Sequence, residues 1–166
     1  MVSAVMLLPL LSGCGGTSNG DGGGSGNVTL NGTWRSTAIG PANSSSASLV
    51  SCPGTVTVEG DEVSCGANDT ITFTDNTFRE DSPDDLGNPQ RTTGTFSRSG
   101  SSLNATASQI ATDENRDGVY EASETETLDS PISIGIQIKE LTSNRLKLEF
   151  DLTNFGGHAF AATFSR

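Results

Sequence analysis

The chain has 166 residues, enough for one ordinary domain with a core of useful size and too few to suggest a second. Nine Lys and Arg stand against twenty Asp and Glu, and the net charge of −11 repels phosphate backbones and anionic head groups alike, so nucleic acid is excluded as a partner. With 33% hydrophobic residues and abundant Ser, Thr, Asn and Gly, composition fits an exported β-protein or a disordered chain, and only periodicity separates them.

The first segment, MVSAVMLLPLLSGCGG, is apolar and small, and closes on Leu11, Ser12, Gly13 and Cys14. A membrane-spanning helix needs about 20 apolar residues, and this run has the length of a signal-peptide core instead. Leu followed by two small residues and Cys resembles the lipobox of bacterial lipoproteins. That resemblance implies a signal peptide over residues 1–13, a mature chain starting at a lipidated Cys14, and a membrane partner that is reached without being crossed. No Lys or Arg precedes the apolar run, so the natural start is expected upstream. Gly15 in place of Asp resembles the sorting default to the outer membrane of the bacterial cell envelope rather than the inner one. Residues 15–27, GGTSNGDGGGSGN, have seven Gly and no large apolar side chain, and so predict a flexible tether after Cys14. Its reach is roughly 20 Å.

Residues 28–166 form the expected domain, an antiparallel β-meander of eight or nine short strands with no long helix. GTWRSTA and TVTVEG are the first two strands. TITFTDNTFRED is a hairpin turning at Asp75 and Asn76, and TGTFSRSGSSLNATAS another turning at Ser99 and Gly100. With Cys14 lipidated, Cys52 and Cys65 remain, and an even pair in an exported chain reads as a disulfide. A zinc site is the weaker alternative, because these two Cys and a single distant His do not make a zinc set.

Between a strand near 103–110 and one starting at 132 lies DENRDGVYEASE, residues 113–124. Asp, Asn, Asp, Gly and Glu at its positions 1, 3, 5, 6 and 12 resemble an EF-hand calcium loop. The resemblance implies calcium held by the side chains of Asp113, Asn115 and Asp117, the carbonyl of Val119, Glu121 through water and Glu124 with both oxygens. Tyr120 replaces the usual small aliphatic residue, and ASETETLDSP ends at Pro131 and cannot form the exit helix. The expectation is a structural clip between strands, with a solvated, ion-free acidic loop as the alternative.

Downstream, ISIGIQI and LKLEFDL alternate strongly and flank the turn formers Thr142, Ser143 and Asn144, so they predict a hairpin. HAFAATFSR supplies the last strand. Repeated short strands of this kind close into a barrel or stack as a β-sandwich.

LNGTWRST resembles the Gly-x-Trp first strand of lipocalins, and DTITFTDNTF, GTFSRSGSSL and IKELTSNRLKLEF follow in the order of small bacterial lipocalin-like domains. The likeness covers most of residues 30–166. It implies a closed, calycin-type eight-stranded barrel, with Trp34 plugging one end under Arg166 and a cup for a small apolar or amphipathic ligand. A plain core role for Trp34, and an envelope protein with a filled core and no ligand, stand as alternatives. No enzyme is expected. His158 is the only His and lies among aromatic residues, and the Gly-x-Ser-x-Gly match at Gly16–Gly20 falls in the tether, away from any strand-to-helix turn.

Overall fold

The computed structural model describes residues 28–45, 48–84, 86–153 and 156–166. The expected signal peptide, Cys14 and the tether lie outside the described residues.

Among the described residues, alternating β-branched or aromatic and polar residues produce eleven strands. They are β1 (Gly32–Pro41), β2 (Val50–Ser51), β3 (Gly54–Val58), β4 (Asp61–Cys65), β5 (Thr70–Thr74) and β6 (Thr77–Pro83). There follow β7 (Pro89–Ser99), β8 (Ser102–Thr112), β9 (Thr125–Leu141), β10 (Arg145–Asp151) and β11 (Phe160–Ser165). The long sheet runs β11-β10-β9-β8-β7-β6-β5-β1, and β11 also pairs with β1, which closes an antiparallel barrel and rules out the sandwich. β2 adds to the upper half of β1 at Ala38 and Ile39, and β3 and β4 form a hairpin of their own.

Strand direction sorts the connections. At one end, called the bottom, tight turns follow Thr74, Ser99 and Leu141, with Asp75 at φ 52° and Gly100 at φ 60°. The top carries the longer connections: 42–69 with β2, β3 and β4, then 84–88, 113–124 and 152–159. Trp34, Phe73, Leu146 and Leu148 are fully buried in the core.

Two strand expectations need correction. β9 starts at Thr125 and not at Ile132. Glu126, Asp129 and Pro131 interrupt its apolar alternation, but β8 holds its first residues through Gln109↔Thr127 and Ala111↔Thr125. The ladder shifts register between Ala107 and Gln109, and Pro131, which cannot donate to a ladder, falls in that irregular stretch. β4, DEVSC, lies outside the predicted strands because only Val63 and Cys65 of its residues turn inward.

Candidate functional site

The bottom of the barrel is plugged. The Trp34 ring is 0% exposed, and its Nε1 donates to the Leu30 carbonyl at 2.8 Å. The Arg166 guanidinium lies 3.8 Å from the ring centroid and donates to the carbonyls of Thr29 at 2.9 Å and Asn31 at 2.6 Å. The indole N–H and the Nη2 of Arg166 are thereby matched, and Phe73 and Phe96 meet edge to face at the same end of the barrel, 5.2 Å between centroids.

The upper half differs. Directly opposed cross-strand residues share a face, and Trp34↔Ile71, Ile71↔Glu80, Glu80↔Thr92, Thr92↔Ile110 and Ile110↔Glu126 form one inward-facing row. Trp34 and Ile71 are buried, yet Thr92 and Ile110 are only half-buried, and Glu80 and Glu126 count as exposed. Neighbouring protein still desolvates the Glu80 carboxyl. An inward-facing side chain that stays accessible faces an open lumen. Across from it Ile134, Phe150 and Phe160 also point inward and stay half-buried, with the two Phe rings stacked at 4.8 Å. The upper lumen thus has an acidic wall and an apolar wall.

Among the described residues Glu80 has no hydrogen-bond or ion-pair partner. Burial, reinforced by the negative charges of Asp69 and Asp81, pushes its carboxyl up to about 7. Burial also raises Asp69, against a hydrogen bond from the Gly66 amide. Glu80 binds its proton more tightly in the folded chain than in the unfolded one, where the value is 4.5. Stability is therefore fullest below that unfolded value and falls as pH rises through the folded one. Glu80→Gln should raise the melting temperature at pH 8 by about 3 °C and leave it unchanged at pH 4.5, read by parallel thermal melts. Sequence reading missed Glu80, although TFREDSP places it on the same face as Phe78.

The β3–β4 hairpin packs on the core from the β1 side, with Val58, Val63 and Cys65 buried. Its turn, Glu59-Gly60, has φ of 51° and 106°. Cys52 and Cys65 are joined as the sequence predicts, and Cys52 Sγ lies 3.3 Å from Ser36 Oγ on β1. His158 Nδ1 lies 2.6 Å from Glu59 Oε2, which ties the tip of the hairpin to the β10–β11 connection. The only His is thus occupied at the rim of the barrel.

In the acidic loop Asp113 is 1% exposed, and its carboxylate accepts from the amides of Asp117 at 3.1 Å and Gly118 at 2.9 Å. Asn115 and Asp117 accept, by side chain, from the amides of Asp117 and Val119. Gly118 has φ 84°, a conformation that makes the sharp turn easy for glycine. Tyr120 turns back to the barrel and lies under Arg91, 4.2 Å from guanidinium to ring centroid. Glu124 ends a 3-10 turn, Ala122–Glu124, and accepts from the Glu121 amide at 3.1 Å. Asp113, Asn115 and Asp117 therefore share one turn, whereas Glu124 is folded onto its own backbone and Val119 is exposed. Among the described residues no three His, Cys, Asp or Glu converge to hold a metal ion.

Two surface hollows flank the lumen. One, of about 390 Å³, lies at the mouth between Asp69, Ser82, Gln90 and Tyr120. The other, of about 450 Å³, is an outer groove between Thr72, Thr93 and Arg79, whose charge Asp81 already matches at 2.7 Å. Neither hollow is lined by Glu80, Ile134, Phe150 or Phe160, so the candidate site is the upper lumen defined by those inward-facing side chains.

A family model described as a lipocalin-like domain matches residues 30–148. The fold is also similar to two solved structures. A lipocalin-like protein from Bacteroides uniformis is 14% identical with a TM-score of 0.43, over 82% of this chain and 97% of that one. An uncharacterized protein from Bacteroides eggerthii is 12% identical with a TM-score of 0.44, over 83% and 99%. No curated protein matches.

Proposed function

The chain belongs to the lipocalin-like domain family, and from that premise we propose that it is a non-enzymatic binding module that holds a small amphipathic molecule in its upper lumen. One observation carries this reading: Ile134, Phe150, Phe160 and Glu80 face into the barrel and remain accessible, while the opposite end is sealed by Trp34. A lipid on Cys14 would hold the module at the bacterial envelope, more suitably the outer membrane, in keeping with the lipobox-like Leu11 to Cys14. Native mass spectrometry of protein extracted from its own membranes tests both parts. The expected spectrum has a mature N-terminus at acylated Cys14 and a second, ligand-bound mass. Repeated absence of any bound molecule would count against the carrier, and an unmodified Cys14 against the anchor.

A structural calcium ion on the loop belongs to the same proposal, supported by the spacing of Asp113, Asn115, Asp117 and Glu124 and by the turn at Gly118. Glu124 would have to exchange the Glu121 amide for the ion. The dissociation constant is expected near 10⁻⁴ to 10⁻³ M, in the range of about that order for extracellular modules. At ten times that concentration the gain is about 1.4 kcal/mol. Calorimetry should give heat at millimolar calcium and a higher melting temperature than with chelator, and both should vanish in Asp113→Ala and Glu124→Ala. No heat and no thermal shift in the unaltered chain would sink the idea.

A further inference from the structure

On the carrier reading, the geometry points to a cationic amphiphile as the ligand: an ammonium or amidinium head against Glu80 and a hydrocarbon tail along Ile134, Phe150 and Phe160. Three observations lead there. Glu80 faces into the barrel and has no partner among the described residues, and a carboxylate in such a place gains most from a cation. The row Trp34, Ile71, Glu80, Thr92, Ile110 and Glu126 contains two carboxylates and no Lys, Arg or His to meet an anionic head. A fatty carboxylate would add a third negative charge to that wall, and a neutral alcohol would leave Glu80 unpaired. On the other side, the stacked Phe150 and Phe160 present apolar surface to the tail and ring faces that attract cations.

The charges near Glu80 are negative on the inner face: Asp69 precedes β5 and acts on it directly, Glu126 lies further round the same row on β9, and β5 and β7 contribute the uncharged Ile71 and Thr92. Asp81, the next residue on β6, also acts on Glu80 but points to the outer face, where Arg79 and Arg91 pair with it. Loss of the Glu80 proton near neutral pH prepares the site for a cation, and a bound cation in turn favours that loss.

The test uses the full chain carrying Cys14→Ser, so that its own acyl groups cannot occupy the lumen. Octyltrimethylammonium, 1-octanol and octanoate share a tail length and are compared by calorimetry at pH 8. The cation should bind at least tenfold more tightly than the alcohol, and octanoate most weakly. In Glu80→Gln, shown to be folded by its melting transition, the cation should lose that tenfold advantage and the alcohol should bind unchanged. Because the trimethylammonium charge does not titrate, its affinity should drop several-fold from pH 8 to pH 5.5 in the parent and stay flat in Glu80→Gln. Equal binding of the three probes, or a cation advantage that survives Glu80→Gln, overturns the inference and leaves the carrier reading standing. Failure of all three to bind overturns the carrier reading itself.

Discussion

Truncation of Trp34 to alanine is expected to cost about 3–5 kcal/mol of unfolding free energy. The ring has no exposed surface and fills the bottom of the barrel beside Ile71, and its close neighbours Phe73 and Phe96 are already held by their own packing. Its loss also strips the Leu30 carbonyl of the Nε1 donor and the Arg166 guanidinium of its stacking face. Domains of this size have only about 5–15 kcal/mol in total, so the variant should lie near the edge of folding at physiological temperature. Urea denaturation reads the effect as a fall in midpoint at constant slope. Arg166→Ala isolates the lid of the plug. It leaves the ring in place and removes the cation–π contact, worth about 0.5–1 kcal/mol at an exposed position, together with the hydrogen bonds from the guanidinium to the carbonyls of Thr29, Leu30 and Asn31, about 1 kcal/mol each at most. The ordering of the two variants is the diagnostic result, since a Trp34→Ala cost no larger than that of Arg166→Ala would mean the bottom repacks and the plug is not the keystone of the closure.

Legibility in the sequence followed burial. Strands with an apolar inner face, such as ISIGIQI against LKLEFDL, carry strict apolar alternation, and the register Ile138↔Leu148 and Ile136↔Phe150 reproduces it. The early part of β9 faces the open lumen, so its inward positions include Glu126, and alternation of hydrophobicity there gives no signal. The same physics hid Glu80, because a carboxylate in the upper row of a cup reads as a solvent-facing residue until the sheet closes around it. Closure depends on β11 pairing with β1, a contact between the two ends of the domain that no local pattern encodes. The acidic loop was legible as a turn, since Asp113 and Gly118 do what their spacing predicts, but Glu124 answers first to the nearest free amide, at Glu121. Spacing names the groups within reach of one another and does not decide which of them meet.

Removal of the disulfide by the pair Cys52→Ser and Cys65→Ser is expected to act on the hairpin far more than on the barrel. The bridge spans a sequence separation of 13, and closing a loop of about that length stabilises by about 3 kcal/mol in the chain-entropy account. Among the described residues β3 and β4 pair only with each other, and a lone two-stranded hairpin is marginal in water. What holds this one is the bridge, the buried Val58 and Val63, and the His158 to Glu59 contact at its tip. Without the bridge, amide exchange across Val56 to Val63 should accelerate by about 100-fold, which corresponds to roughly 2.7 kcal/mol. Amides of the β8–β9 ladder, which owe nothing to the hairpin, should slow or quicken by far less. A uniform acceleration throughout the barrel would mean that the bridge secures the whole domain, and would remove the basis for treating the hairpin as an independent cover. If the local pattern holds, the consequence reaches the site: the tip of the hairpin is tied to His158 in the connection at the top of the barrel, so its opening in the variant should speed ligand entry and exit together and change affinity less than either rate.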